Sequence, residues 1–120
     1  ADADVVLVFS GLPLQYESEG IDRTHIHMPP SHNKLIEEIG AVQKNTVVVL
    51  TNGSAVTMPW LNNVSGVLET WLGGQAGAGG IADVLFGKVN PSGKLPFSFP
   101  KKLKEVSFSI LANNILNRNL

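Results

Sequence analysis

Short apolar runs and amphipathic stretches follow one another along this chain. Two runs, Val5–Phe9 and Thr46–Leu50, are continuously apolar and rich in β-branched residues, which is typical of strands buried on both faces of a parallel sheet. A shorter, more mixed run, Gly66–Trp71, predicts a third strand. Apolar residues at helical spacing between the first two runs predict a helix with Ser31 as its N-cap and Asn45 at its end.

The third run leads into a glycine-rich segment. Leu72–Gly80 is predicted to be a loop, and Ile81–Phe86 a short helix. Gly77, Gly79 and Ala82 fit a loose form of the dinucleotide-binding pattern, but no acidic residue ends a strand about twenty residues later to hold a ribose. We therefore favour a loop whose small residues allow a helix to pack closely.

The alternation of strand and helix predicts an α/β fold, a three-layer α/β/α sandwich with a mostly parallel sheet. Leu95–Pro100 is predicted as an edge strand or extended segment, because its prolines cannot donate to a central ladder. Three strands are few for such a sheet, so we expect a partial sandwich that lacks its first strands. Residues 1–100 form this domain in our interpretation, and residues 101–120 are a tail of unclear structure. Exposed sheet edges would favour a homo-oligomer.

Composition excludes several classes of partner. With 9 Lys and Arg against 10 Asp and Glu, the net charge of −1 argues against nucleic acid. No apolar run approaches the ~20 residues of a membrane span. The chain has no cysteine, so thiolate metal sites are excluded. The missing cysteine and the lack of a visible signal peptide favour a cytoplasmic location.

A charged loop, Tyr16–Arg23, follows the first predicted strand. It holds the carboxylates of Glu17, Glu19 and Asp22 beside the guanidinium of Arg23. Open α/β sheets bind ligands beyond the carboxyl ends of their strands, and a general acid is a carboxyl held in such a pocket. We expect Asp22 to pair with Arg23, which would be buried against the sheet edge and pin the loop. The alternative is a solvated acidic loop.

Three histidines, His25, His27 and His32, raise the question of a metal site. His25 and His27 lie on one side of an extended segment, but no third ligand is obvious. We expect solvent-facing histidines, and neither a metal ion nor a cofactor.

The segment Glu17–Arg23 resembles the E-x-E-G-x-D-R stretch of glycoside hydrolase family 3, the β-glucosidase family. Ala82–Pro96 resembles the family's block A-D-V-L-F-G-x-x-N-P-S-G-K-L-P. The resemblance covers roughly residues 3 to 100. Other segments that match in the family's order are Met28-Pro29, Leu35-Ile36, Val47–Leu50, Gly53-Ser54, Met58–Leu61 and Trp71–Gln75.

This resemblance implies the sandwich domain that packs on a (β/α)8 barrel in the family. There the barrel supplies an Asp nucleophile and the sandwich supplies a Glu acid/base, in a retaining mechanism with the two carboxyls roughly 5–5.5 Å apart. We favour Glu17 as the acid/base, with Glu19 as the alternative or as a supporting residue. Tyr16 stands where relatives often have a tryptophan in the pocket wall, and Asp22 and Arg23 support the loop.

The resemblance leaves the barrel, and with it the nucleophile, unaccounted for in this sequence. We therefore expect a fragment of an enzyme that hydrolyses terminal non-reducing β-D-glucosyl residues from a β-linked glucoside or oligosaccharide. The fragment would need the missing barrel domain as its partner and would be inactive alone. The alternative is a non-catalytic module, either a flavodoxin-like nucleotide binder that uses Gly73–Gly80 or a packing domain.

Overall fold

A parallel three-stranded sheet organises the computed structural model, which describes residues 3–20 and 22–105. The strands lie in the order β1-β2-β3, with Val8 beside Val48 and Val48 beside Val67. The prediction of an α/β fold with a parallel sheet is confirmed. The elements are β1 (Val6–Gly11), α1 (Pro30–Val42), β2 (Thr46–Thr51), β3 (Gly66–Glu69) and α2 (Gly77–Leu85), with 3₁₀ turns at Leu61–Asn63 and Leu103–Glu105.

The hydrophobic core lies on the face of the sheet that α1 covers. Ile36 of α1 meets Val48 and Leu50 of β2, and all three side chains are completely buried. Trp60 is also completely buried, and its indole Nε1–H donates a 2.9 Å hydrogen bond to Asn33 Oδ1 on α1. The remaining core residues are Val8, Met28 and Val56.

The opposite face of β1 is open. Leu7 is 40% exposed and Phe9 61% exposed, so burial on both faces is wrong for β1. The interpretation is right for β2, in which both Val48 and Val49 are completely buried. A cleft of about 420 Å³ separates Leu7 and Phe9 from α2, and this gap is the physical reason for their exposure.

Two predicted helix ends are shifted. Ser31 lies inside α1, which begins at Pro30 after Pro29, so Ser31 is not the N-cap. Proline suits a first helical turn because its missing N–H needs no partner there. The helix ends at Val42, and Asn45 instead joins the starts of two strands by donating from Nδ2 to Asp4 O at 2.8 Å.

The glycine-rich loop is shorter than predicted, and β3 ends at Glu69 before Trp71. Because α2 begins at Gly77, the predicted loop Leu72–Gly80 is wrong beyond Ala76. Gly77 and Gly79 lie within the helix and do not form a phosphate-binding loop.

The segment after α2 contains no strand as far as residue 105. Phe97 and Phe99, from the stretch predicted as an edge strand or extended segment, stack on each other with ring centroids 5.8 Å apart. Residues 101–105 of the predicted tail include the second 3₁₀ turn, and residues 106–120 lie outside the described part of the chain.

Candidate functional site

The charged loop begins where β1 leaves the sheet. Leu12 N–H donates to Thr51 O at 3.2 Å, so the chain follows the end of β2 for one residue beyond β1. Tyr16 N–H then donates to Pro13 O at 2.8 Å and closes a turn. This turn brings Glu17 over the carboxyl end of β2, as expected for a ligand-binding loop of an α/β sheet.

Glu17 is held by the turn that follows β2. Gly53 N–H donates to Oε2 at 2.8 Å, and Ser54 Oγ–H donates to Oε1 at 2.7 Å. The side chain is half-buried. Both carboxylate oxygens therefore have a fixed donor, and the carboxylate has one defined position.

Arg23 reaches the same serine from the other end of the loop. Its Nη2 donates to Ser54 Oγ at 2.8 Å and to Ala55 O at 3.0 Å, and the residue is half-buried. Asp22 is exposed and makes no ion pair with Arg23, so the predicted Asp22–Arg23 pair is wrong. The physical reason is that the turn after β2 offers two oxygens that are better shielded from water than the Asp22 carboxylate.

Glu69, at the end of β3, is a third part of the site that sequence reasoning missed. Its Oε1 accepts a 2.9 Å hydrogen bond from Trp71 N–H, and its Oε2 accepts one of 3.3 Å from Asn52 Nδ2. Burial raises the pKa of Glu69 from its ordinary value of 4.5, the hydrogen bonds of Trp71, Asn52 and Thr70 oppose this rise, and the charge of Glu17 adds to it.

The sequence did contain a signal for Glu69. The carboxyl ends of parallel neighbouring strands meet at one edge of a sheet. If the three predicted strands are neighbours in the sheet, an acidic residue that ends the third apolar run lies near the loops that follow the first two. Glu17, Ser54 and Glu69 come from these three neighbouring junctions.

The other predicted site residues lie around this network without joining it. Glu19 is exposed and makes no hydrogen bond or ion pair in the described part of the chain. The ring of Tyr16 packs edge-on against His25 at a centroid distance of 5.8 Å, and His25 stacks on His27 at 5.5 Å.

Each of the three histidines is engaged by a neighbouring residue. His27 is exposed and shares a 2.8 Å hydrogen bond between Nδ1 and Thr57 Oγ1. The expectation of a solvent-facing side chain is wrong for His25 and His32, which are both half-buried, and His32 has its Nδ1 3.2 Å from Gly11 O. Within residues 3–20 and 22–105 no group of three or more His, Cys, Asp and Glu side chains is placed to hold a metal ion.

Two carboxyl groups, those of Glu17 and Glu69, lie at the carboxyl-terminal edge of the parallel sheet. Glu17 is fixed and partly open to solvent, and Glu69, whose pKa is raised by burial, is bonded to Asn52 of the same turn. Carboxyl groups whose surroundings give them different pKa values are typical of acid–base sites.

None of the described helices is long and apolar enough to cross a membrane.

Comparison with known proteins identifies the family to which this chain is similar. Residues 1–118 match the family described as the glycosyl hydrolase family 3 C-terminal domain. The chain is 60% identical over 103 residues to thermostable beta-glucosidase B of Acetivibrio thermocellus, covering 86% of this chain and 14% of the relative. It is 50% identical over 105 residues to an exo-alpha-(1->6)-L-arabinopyranosidase of Bifidobacterium longum, covering 87% and 14%.

The fold agrees with that of a solved relative. The crystal structure of the Bifidobacterium adolescentis GH3 beta-glucosidase superposes with a TM-score of 0.85 at 49% identity and covers 91% of this chain. The chain spans 16% of that structure and 14% of the two relatives named above, so it corresponds to a small part of much longer enzymes. With the family matched over nearly its whole length, this chain belongs to the glycosyl hydrolase family 3 C-terminal domain family.

Proposed function

We propose that this chain supplies the acid/base glutamate of a retaining β-glycosidase, and that Glu17 is this residue. In the first step Glu17 gives its proton to the glycosidic oxygen while an Asp of a companion barrel attacks the anomeric carbon and the leaving alcohol departs. In the second step Glu17 takes a proton from water, the water oxygen attacks the anomeric carbon, and the bond to the Asp breaks. The substrate is a β-linked glucoside or oligosaccharide with a terminal non-reducing glucosyl residue.

The anchoring of Glu17 is the observation that carries this proposal. Proton transfer requires a carboxyl held within hydrogen-bonding reach of one atom of the substrate. Gly53 N–H and Ser54 Oγ–H hold Glu17 at 2.8 and 2.7 Å, whereas Glu19 is exposed. This difference supports Glu17 as the acid/base and leaves Glu19 as the alternative.

The neighbouring residues support the loop in this scheme. Arg23 holds the Ser54 hydroxyl oxygen at 2.8 Å, which orients the hydroxyl hydrogen toward Glu17. Tyr16, with its ring against His25, forms one side of the loop where the sugar pocket would close. Asp22 is exposed and faces solvent, so we assign it no part in fixing Glu17.

In this scheme the nucleophile and the sugar pocket belong to a barrel domain outside this sequence. Relatives that share the segment include a beta-glucosidase and an arabinopyranosidase, which differ in the sugar named. This supports a division in which the segment supplies proton transfer and other parts of the enzyme select the sugar. The isolated chain should then hydrolyse no aryl β-glucoside.

Kinetics of the full-length enzyme that carries this segment test the proposal. Glu17→Ala should spare 2,4-dinitrophenyl β-glucoside, whose leaving group needs no proton, and slow phenyl β-glucoside by about 10²- to 10⁴-fold. Azide should restore turnover of the dinitrophenyl substrate by attacking the glycosyl-enzyme and releasing a glucosyl azide. Glu19→Ala is the matched control and should change both substrates equally.

Two results would contradict this scheme. If Glu19→Ala gives the leaving-group dependence and the azide rescue, the acid/base is Glu19. If the isolated chain hydrolyses an aryl β-glucoside and keeps this activity in both glutamate variants, the proposed reaction is wrong altogether.

A further inference from the structure

Glu69 has no role in the mechanism above, yet it is bonded to the turn that holds Glu17. We propose that Glu69 is a positioning residue, which keeps the Asn52–Ser54 turn in the shape that presents two donors to the Glu17 carboxylate. This inference rests on the proposed role of Glu17 as proton donor.

The link runs through the amide of Asn52. Its Nδ2 donates to Ser54 O at 2.8 Å and to Glu69 Oε2 at 3.3 Å, and the residue is completely buried. Among the residues that the structure describes, none bonds to its Oδ1. Leaving a buried carbonyl oxygen unpaired is unfavourable, and the amide keeps this orientation because two acceptors attract the same NH₂ group.

Removing the carboxylate of Glu69 would release this amide. With Ser54 O as the one remaining acceptor, the Asn52 side chain could turn to satisfy Oδ1 and would lose its hold on the turn. Gly53 N–H and Ser54 Oγ–H would then no longer point at Glu17 in a fixed direction.

The other side of Glu69 is held by a strained backbone. Trp71 has φ of 53°, a left-handed conformation that is uncommon for a bulky residue, and in it the Trp71 N–H donates to Glu69 Oε1 at 2.9 Å. The Trp71 ring packs against Phe97 and Phe99 with centroids 5.4 and 6.1 Å away. Such strain persists where the surroundings determine the conformation strongly, and it clusters at functional sites.

Charged groups approach this carboxylate from two sides. Glu17, on the loop after β1, carries the like charge that acts on Glu69. Lys94, on the segment after α2, lines the same cavity of about 610 Å³ as Glu69. Arg23 lies one hydrogen bond further away, on Ser54 Oγ. The geometric link from Glu69 to Glu17 is the one through Asn52 and the turn that Asn52 holds.

Leaving-group dependence in the full-length enzyme tests this inference. In Glu69→Gln, one oxygen must serve two donors, so we expect kcat for phenyl β-glucoside to fall about 10-fold or more. For 2,4-dinitrophenyl β-glucoside, whose departure needs no acid, we expect a change below about 3-fold. Glu37→Gln, at an exposed position of α1, is the matched control and should change neither rate. A purely structural role would lower both rates equally.

A second variant and a double-mutant cycle complete the experiment. Glu69→Asp keeps the charge and should retain a larger share of the phenyl β-glucoside rate than Glu69→Gln. In the Glu17→Ala background, Glu69→Gln should cause no further loss on phenyl β-glucoside, because the proton donor is already absent. Two results would overturn the positioning role alone, provided that Glu17→Ala still slows phenyl β-glucoside selectively. One is an additive loss in the double variant, and the other is an equal loss on both substrates in Glu69→Gln. A Glu17→Ala variant without selectivity would overturn the proposed function and, with it, this inference.

Discussion

A Cβ atom on Gly53 would lie 3.2 Å from Glu17 Oε1 and 3.4 Å from Glu17 Cδ. The turn after β2 and the loop after β1 are thus in contact at the carboxylate itself. A glycine at position 53 leaves room for Glu17 while its N–H donates to Oε2 at 2.8 Å. Small changes in this turn should therefore act directly on the glutamate.

Gly53→Ala should displace the Glu17 carboxylate with little effect on the fold. The added methyl group would also lie 3.3 Å from Leu72 Cδ1, so the half-buried Glu17 side chain has to give way. We expect kcat/KM for phenyl β-glucoside in the full-length enzyme to fall about tenfold, which corresponds to about 1.4 kcal/mol. An unchanged rate would show that the loop accommodates the added methyl group without displacing the Glu17 carboxylate.

Ser54→Ala should lower both stability and acid-assisted hydrolysis. The variant removes the donor to Glu17 Oε1 and one of the two acceptors of Arg23 Nη2. We expect a loss of about 1–3 kcal/mol in the free energy of unfolding, measured by urea denaturation followed by circular dichroism.

Ser31→Ala is the control for this serine deletion. Ser31 is exposed on α1 and makes no side-chain hydrogen bond in the described part of the chain, so its loss should change stability by less than about 0.5 kcal/mol. If the two alanine variants unfold at the same urea concentration, the Ser54 hydroxyl does not stabilise the site.

The raised pKa of Glu69 predicts a pH dependence of stability. Burial disfavours the charged form in the folded protein, so the contribution of Glu69 to stability is fully present below its unfolded pKa of about 4.5 and is lost as the pH rises through the higher folded pKa. The difference in free energy of unfolding, wild type minus Glu69→Gln, should therefore decrease as the pH rises above 4.5.

Urea denaturation at a series of pH values measures this difference. Glu37→Gln, which removes an exposed carboxylate from α1, should give a difference that is nearly independent of pH. A Glu69→Gln difference that is flat, or that increases with pH, would mean that burial does not dominate the titration of Glu69.

Trp60→Phe should destabilise the core beneath the site. Phenylalanine keeps an aromatic ring but lacks the N–H that bonds to Asn33 Oδ1 at 2.9 Å, and it fills a completely buried site less fully. We expect a loss of about 1–3 kcal/mol. A thermal unfolding cycle with Asn33→Ala should be non-additive, and strictly additive losses would show that the hydrogen bond contributes nothing.

The sequence correctly predicts the elements whose burial follows from their own pattern of apolar residues. β2 is a continuous apolar run and is buried as expected, and the spacing that predicts α1 places Ile36 in the core. β1 has the same apolar pattern, but the exposure of Leu7 and Phe9 depends on how closely α2 approaches the sheet. That distance is a property of tertiary packing and leaves no mark on the local pattern.

The sequence predicts where the site lies in the chain, but it does not predict which residues of the site bond to one another. The density of charge in the loop after β1 indicates Glu17 and Arg23, but adjacent charges in the chain need not pair. Arg23 bonds to Ser54 and Ala55, which are about thirty residues away, and Asp22 stays in water. Glu69 was missed because the strand order decides which residues lie beside it, and the local pattern of apolar and polar residues does not predict that order.

The three strands that lead into the site are not held equally strongly in the sheet. β2 is flanked on both sides, whereas β1, which leads into Glu17, is an outer strand of the described sheet with Leu7 and Phe9 facing water. Heating should therefore fray β1 before the rest of the sheet melts, since local openings begin where few apolar contacts are buried. In the isolated chain, the backbone amide hydrogens of β1 should then exchange with solvent faster than those of β2.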